Sequence, residues 1–258
     1  LQLPKNFPSN LPFKLVENNR IKGIKMEFDG GGALVLKKSK RISKKACLEF
    51  LSINMEWVLS HFKAMQDSVF FEDKMYYFGE WKDFNAVSIE AEQAGFMQTF
   101  CKRIQRLKES QNAQAESSVV CLQNLWLCAI KANDTRYKKI LEAFYKEALK
   151  SYMSKRLEFI AKVMDLYPSA VTFGKSYRQL GCCFSLKKRI RFSLRLALMP
   201  RDCIDSVIIH ELAHLKHQNH SRDFWNFVEK FDTNPKRVRL WLDAHRENLQ
   251  IYYKVFKY

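Results

Sequence analysis

The sequence predicts an α+β protein: a β-rich amino-terminal part, then a long helix, a small β-sheet and a helix bearing clustered histidines. Three observations carry this. Residues Lys138–Met164 place Leu141, Phe144, Tyr145, Ala148, Tyr152, Leu157, Ile160 and Val163 at helical spacing, a broad apolar face on a long helix. Residues Arg189–Leu196 alternate Ile190, Phe192, Leu194 and Leu196 with Arg189, Arg191, Ser193 and Arg195. Period two means a strand with one buried face. Ile204, Val207, Ile208, Leu212 and Leu215 return to helical spacing around His210 and His214.

The remaining elements follow in chain order. Ile21–Phe28 and Ala33–Leu36 flank Asp29-Gly30-Gly31-Gly32, a hairpin signal in which the glycines supply turn conformations. No Gly-Lys-Ser/Thr follows, so this is not a phosphate loop. Lys44–Lys63 reads as one helix, with Cys47, Phe50, Leu51, Met55, Val58 and Leu59 near one face. Lys74–Trp81 suggests a second short hairpin. Gln111–Ser118 is polar and reads as a loop, and Val119–Lys131 is apolar and compatible with a helix. Tyr167-Pro168 stops the long helix, and a β segment begins near Val171. Pro200 and Asp202 mark the start of the histidine-bearing helix. Phe224, Trp225, Phe227, Val228 and Phe231 suggest a helix packed behind it, and Leu240-Trp241-Leu242 a last helical segment. This divides the chain into a β-rich part with one helix (1–86), a helical insertion (87–134) and a core (135–258).

At 258 residues and 47% hydrophobic content the chain can bury a substantial core. No apolar run reaches the roughly 18 residues of a transmembrane helix, so no membrane partner is expected. Seven irregularly spaced cysteines, without a CxxC pair, suggest a reduced, cytoplasmic protein rather than a disulfide scaffold. Adjacent Cys182-Cys183 read as small buried residues of a strand turn, redox activity being the other reading. Leu1-Gln2-Leu3-Pro4-Lys5 has no signal-peptide pattern; it also lacks an initiating Met, so a lost leader stays open. The formal charge of +17 favours polyanions. Lys and Arg are spread along the chain, however, so a solvated basic surface is the first reading and nucleic-acid binding the second.

The chemistry concentrates in residues 210–220, where four of the six histidines fall. In His210-Glu211-Leu212-Ala213-His214, a helix puts the two imidazoles one turn apart, able to share one metal ion, with Glu211 beside them as a general base. His220 follows His214 by six residues. A continuous helix would turn it away, so the helix must end between them, and Gln218-Asn219 offers the place. The candidate centre is therefore Zn²⁺ on His210, His214 and His220, with Glu211 as catalytic base. His217 reads as a solvated helix-end residue, or alternatively as a supporting or substitute ligand. Tyr177, Arg178 and His217 are oxyanion donors by composition only.

The motif Ile208-Ile209-His210-Glu211-Leu212-Ala213-His214-Leu215-Lys216-His217-Gln218-Asn219-His220-Ser221, continued by Arg222-Asp223-Phe224-Trp225, resembles the YgjP-like metallopeptidases (DUF45), related to the SprT-like and WLM zinc proteases. The likeness is strongest across Gly181–Trp241. The family's Trp-Gly-Ser-Cys-Ser segment stands here as Leu180-Gly181-Cys182-Cys183-Phe184, and Gln179 occupies a position where Arg is usual. The resemblance implies a zincin-like core, metal ligands at His210, His214 and His220, a catalytic acid at Glu211, and protein or peptide substrates. It also implies an edge strand beside the metal that pairs with extended substrate; Arg189–Leu196 is the candidate, with its arginines favouring acidic substrates if exposed. The leading expectation is a zinc metallopeptidase. The alternatives are a DNA-associated zinc protease of SprT-like type and a non-peptidase zinc hydrolase.

Overall fold

The computed structural model describes residues 3–18, 20–28, 33–66, 71–107, 117–245 and 247–256. The chain forms two compact units that divide between Phe70 and Phe71.

In the first unit, strands β1 (Phe13–Glu17), β2 (Ile24–Phe28) and β3 (Leu34–Lys38) form a sheet of order β1-β3-β2. The expected antiparallel pairing of β2 with β3 is present, with Met26 opposite Leu36. Its turn, Asp29-Gly30-Gly31-Gly32, lies outside the described residues. β1 runs parallel to β3. Leu11, Leu34, Leu51, Met55 and Val58 form the core of this unit, each full burial being worth about 1.5–3 kcal/mol. Lys38 is buried and meets Glu17 at 2.7 Å. The helix expected over Lys44–Lys63 is two: α1 (Lys44–Ile53) and α2 (Met55–Gln66). Asn54 separates them. Its side-chain amide donates to the Phe50 carbonyl at 2.7 Å, and its own N–H caps α1. A short amide that competes for a backbone acceptor favours a helix end over a helix interior.

The second unit opens with the expected hairpin, β4 (Lys74–Tyr77) and β5 (Glu80–Asp83). Phe78 and Gly79 both take positive φ, 48° and 87°, the turn whose twist suits a two-residue hairpin. A Cβ on Gly79 would stand 2.5 Å from Pro200, so glycine lets this turn close on the start of the histidine-bearing helix. Helices α3 (Phe84–Gln93), α4 (Met97–Leu107) and α5 (Ser118–Trp126) follow, and a π-helical turn covers Leu127–Lys131. These helices share their core with α6 (Thr135–Met164): Phe96 and Phe100 each meet Phe144 edge-on at 5.4 Å. Asp134 caps the start of α6 by accepting from the Arg136 N–H. At its end Asp165 adopts the left-handed conformation, and the Leu166 N–H reaches the Ala161 carbonyl at 3.0 Å. That closure ends the helix before Tyr167-Pro168 is reached.

Strands β6 (Ala170–Gly174), β7 (Gly181–Phe184) and β8 (Arg189–Ser193) form the sheet next to the site, in the order β6-β8-β7. β8 is parallel to β6 and antiparallel to β7. Three expectations for Arg189–Leu196 need correction. The strand ends at Ser193, and Leu194–Leu198 turn into a 3₁₀ helix. Ser193, which the alternation placed on the polar face, is buried; its hydroxyl donates to the Ser176 carbonyl and accepts from the Arg195 N–H. β8 is also the central strand, so both its edges are paired and it cannot add a substrate strand. The edge against the histidine-bearing helix is β7.

That helix is α7 (Arg201–Ala213), followed by α8 (Arg222–Val228), α9 (Arg237–Ala244) and α10 (Glu247–Phe256). α10 was not anticipated. It buries Ile251, Tyr252, Val255 and Phe256, and Tyr252 donates to the Lys175 carbonyl at 2.6 Å. No helix among the described residues is long and apolar enough to cross a membrane.

Candidate metal centre

Pro200 occupies the cap position of α7, and Asp202 accepts from the Cys203 N–H at 2.8 Å in its first turn. Ile204, Ile208 and Leu212 are fully buried. The helix is held to α6 by a forked pair: Arg156 Nη2 lies 2.7 Å from Asp205 Oδ2, its Nε donates to both carboxylate oxygens, and Tyr152 donates to Asp205 Oδ1 at 2.9 Å. The direction in which α7 presents its histidines is thus set by its neighbour.

The helix ends earlier than Gln218-Asn219. Ala213 is its last residue and His214 its cap. The Leu215 and Lys216 N–H groups bond three residues back, to Leu212 and Ala213, which tightens the final turn. The chain then reverses, and Ser221 caps α8 by accepting from the Phe224 N–H at 3.4 Å. His220 therefore stands just before a new helix, aimed back at α7.

The reversal brings the three predicted ligands together. His210 Nε2 lies 3.2 Å from His214 Nε2 and 3.0 Å from His220 Nε2, and all three ligand atoms fall within 4.8 Å of one another. Ligands about 2.0–2.1 Å from a tetrahedral ion stand about 3.3 Å apart, so the spacing is close to that of a metal triad. His214 Nδ1 lies 3.0 Å from the His217 carbonyl. A carbonyl only accepts, so Nδ1 carries the proton and Nε2 keeps its lone pair for a metal. Burial first, then the neighbouring His214 and His220 rings, push His210 down to about 4. Burial also lowers His214. Both imidazoles are neutral at neutral pH, as ligands must be.

Phe224 supports all three. Its buried ring stacks on His214 at 4.6 Å and meets His210 and His220 at 5.0 and 4.9 Å. The sequence suggested only a helix packed behind the site; a shared platform under three imidazoles needs the reversal after α7. His217 contributes through its backbone carbonyl, while its ring faces Phe227 at 5.5 Å. Tyr177 accepts from Arg178 Nε at 2.8 Å and faces the Tyr253 ring.

Glu211 is 5% exposed and lies against β7. A Cβ on Gly181 would come within 2.5 Å of Glu211 Cγ and Oε1. The carboxylate thus rests on bare strand backbone, and Gly181 is part of the site for that reason. Burial pushes the Glu211 carboxyl up to about 7. On the same side of β7, burial and then the Glu211 charge raise the Cys183 thiol to about 11. Cys182 and Cys183 are free and half-buried.

Three convergent imidazoles, a neighbouring buried carboxylate and an adjacent strand edge are the parts of a metal-dependent hydrolytic centre. The family model described as YgjP-like, metallopeptidase domain, matches residues 22–245. The chain belongs to the YgjP-like metallopeptidase family. No curated protein and no solved structure matches the chain. Membership in a YgjP-like metallopeptidase family implies a bound metal and peptide or protein substrates, and the His210, His214 and His220 triad can hold such a metal.

Proposed function

We propose that this YgjP-like protein is a zinc-dependent peptidase with a zincin-like core, in which His210, His214 and His220 hold the ion and Glu211 is the general base. The observation that carries the reading is the convergence of the three Nε2 atoms at 3.0 and 3.2 Å from His210. An all-imidazole donor set of this size suits Zn²⁺ and leaves a coordination position open. Bound zinc supplies Lewis acidity toward water and a scissile carbonyl. Residues 135–258 carry the whole centre, with 87–134 as an insertion packed on α6.

The chain's own groups do the rest. The His217 carbonyl holds the His214 tautomer, and Phe224 holds the three rings. Glu211 accepts a proton from the attacking water and returns it to the leaving nitrogen. Its burial raises its proton affinity into the range where both transfers proceed near neutral pH. The free edge of β7 runs past Glu211 and can take an extended peptide by main-chain hydrogen bonds, which fix register with little demand on sequence. Arg189 and Arg191 are exposed on the sheet face that carries Phe184.

Metal analysis and digestion of a peptide library test this together. Wild type should carry about one zinc per chain and cleave. His214→Ala should lose both metal and cleavage. Glu211→Gln should keep the metal and lose cleavage; turnover retained in that variant would remove the base assignment.

A further inference from the structure

The sheet of β6, β8 and β7 has two unlike faces. Gly181 of β7 looks toward Glu211, which a Cβ there would meet at 2.5 Å, and Cys183 lies on the same side, where the Glu211 charge helps raise its thiol. Their cross-strand partners, Phe192 and Ile190, are fully buried. Successive residues of a strand alternate in face, so Cys182 and Phe184 lie on the other side, opposite Arg191 and Arg189. That face is open to solvent: Phe184 is 47% exposed, and both arginines are exposed. The Arg191 guanidinium reaches toward the edge strand and stands 6.0 Å from the centre of the Phe184 ring. Residues 166–200 contain no Asp or Glu. Other cations of this segment are engaged, Lys175 with Glu142 at 2.6 Å and Arg195 with the Tyr177 carbonyl at 3.0 Å. Among the described residues neither the Arg189 nor the Arg191 guanidinium has an ion pair or a hydrogen bond. Lys187 and Lys188, exposed in the turn before β8, add positive charge at that end of the sheet.

A peptide laid on the free edge of β7 places every second side chain on this open face. Neighbouring strands lie about 4.8 Å apart, so the peptide runs about 10 Å from β8. An arginine and a carboxylate side chain reaching toward each other span that gap. Cys182, between Arg191 and the edge, is small and leaves the path open. Opposite charges across a sheet attract and like charges repel, and complementary charge around a site selects among partners. We infer that this face sets substrate choice: the preferred peptides carry Asp or Glu within a few residues of the scissile bond, on side chains that point away from Glu211, with Arg191 and Arg189 as the specificity-determining residues. The inference rests on the peptidase reading above.

Extended peptides of Ala and Thr that differ only in carrying Glu, Gln or Lys at alternate positions test it with two readouts. One is kcat/KM of the zinc-loaded wild type. The other is the anisotropy of the fluorescently labelled peptides on the zinc-loaded Glu211→Gln variant, which needs no turnover. In both, the Glu peptide should lead the Gln peptide by about three- to fivefold at low salt, the scale of an exposed ion pair or two. The Lys peptide should fall below both, and the lead should shrink as salt is raised. Arg189→Gln with Arg191→Gln should bring the Glu-to-Gln ratio to about one. Lys44→Gln with Lys45→Gln, exposed in the first unit, makes the same change in net charge and should leave the ratio as in wild type. Equal loss in the two double variants means that overall charge attracts acidic peptides, and overturns the assignment. A wild-type ratio of one or below does the same. Duplex DNA that binds more tightly than the Glu peptide, and loses affinity only in the arginine variant, assigns the face to nucleic acid and overturns it as well. If no peptide is cleaved while the Glu preference persists in binding, the peptidase reading falls and the acidic-peptide site stands. Cleavage of all three peptides at equal rates, with a binding ratio of one, does the reverse.

Discussion

Replacing Glu211 by Gln should stabilise the metal-free protein at and above neutral pH. In the folded chain burial holds the Glu211 carboxyl at about 7, against 4.5 for an unburied glutamate. A carboxyl whose folded pKa is raised contributes stability that is fully present below the unfolded value and is lost as pH rises through the folded one. At about 1.4 kcal/mol per pH unit, the gap between 4.5 and about 7 amounts to about 3 kcal/mol. Gln stays neutral throughout and carries no such penalty. The two proteins should therefore be nearly equal in stability below about pH 4.5, and the variant should gain progressively to about 3 kcal/mol above pH 7. The other titrating groups near the site, His210 among them, are common to both proteins and cancel in the difference. Urea unfolding of the chelator-treated pair at pH 4.5 and pH 8 reads this directly. Saturation with zinc should shrink the gap, because a neighbouring cation favours the charged carboxylate. A stability difference that does not change with pH, or a variant less stable than wild type at pH 8, would refute the account of Glu211 as a carboxylate held in a costly buried position.

Two further substitutions probe the supports of the centre. Gly181→Ala places a Cβ within 2.5 Å of the Glu211 carboxylate, and should cost about 1–3 kcal/mol and lower turnover while metal content stays near wild type; unchanged turnover would mean that Glu211 does not depend on β7 for its position. Phe224→Ala removes a fully buried ring in contact with all three imidazoles. It should cost about 3–5 kcal/mol of stability and weaken zinc binding in competition with a chromophoric chelator. Wild-type affinity would show that the ring merely fills space.

The parts of the site that repeat within one helical turn were legible from the chain. His210 and His214 are neighbours because residues four apart share a face, and Glu211 follows from their spacing. Alternation marked β8, and the Lys74–Trp81 segment was readable as the hairpin that β4 and β5 form. Misreadings came where a side chain overrides a periodic pattern. Asn54 bonds its own helix and divides it, although the apolar spacing runs on from α1 into α2. Ser193 bonds Ser176 and Arg195 and ends β8, although the alternation continues to Leu196. The helical spacing of α10 was present in Ile251, Tyr252, Val255 and Phe256, but packing against distant residues, such as Phe256 on Tyr145, is what makes that segment a core helix.

The sequence by itself determined which residues can bind a metal, which carboxylate stands beside them, and that the helix bearing them must stop before His220. Those are consequences of local spacing, and local spacing is written in the chain. Only the tertiary structure decided which strand has a free edge, which glycine the Glu211 carboxylate rests on, and which carbonyl fixes the His214 tautomer. Each joins an element to a neighbour whose place depends on how the rest of the unit packs. A pattern of period two or 3.6 specifies a face, not the partner that covers it.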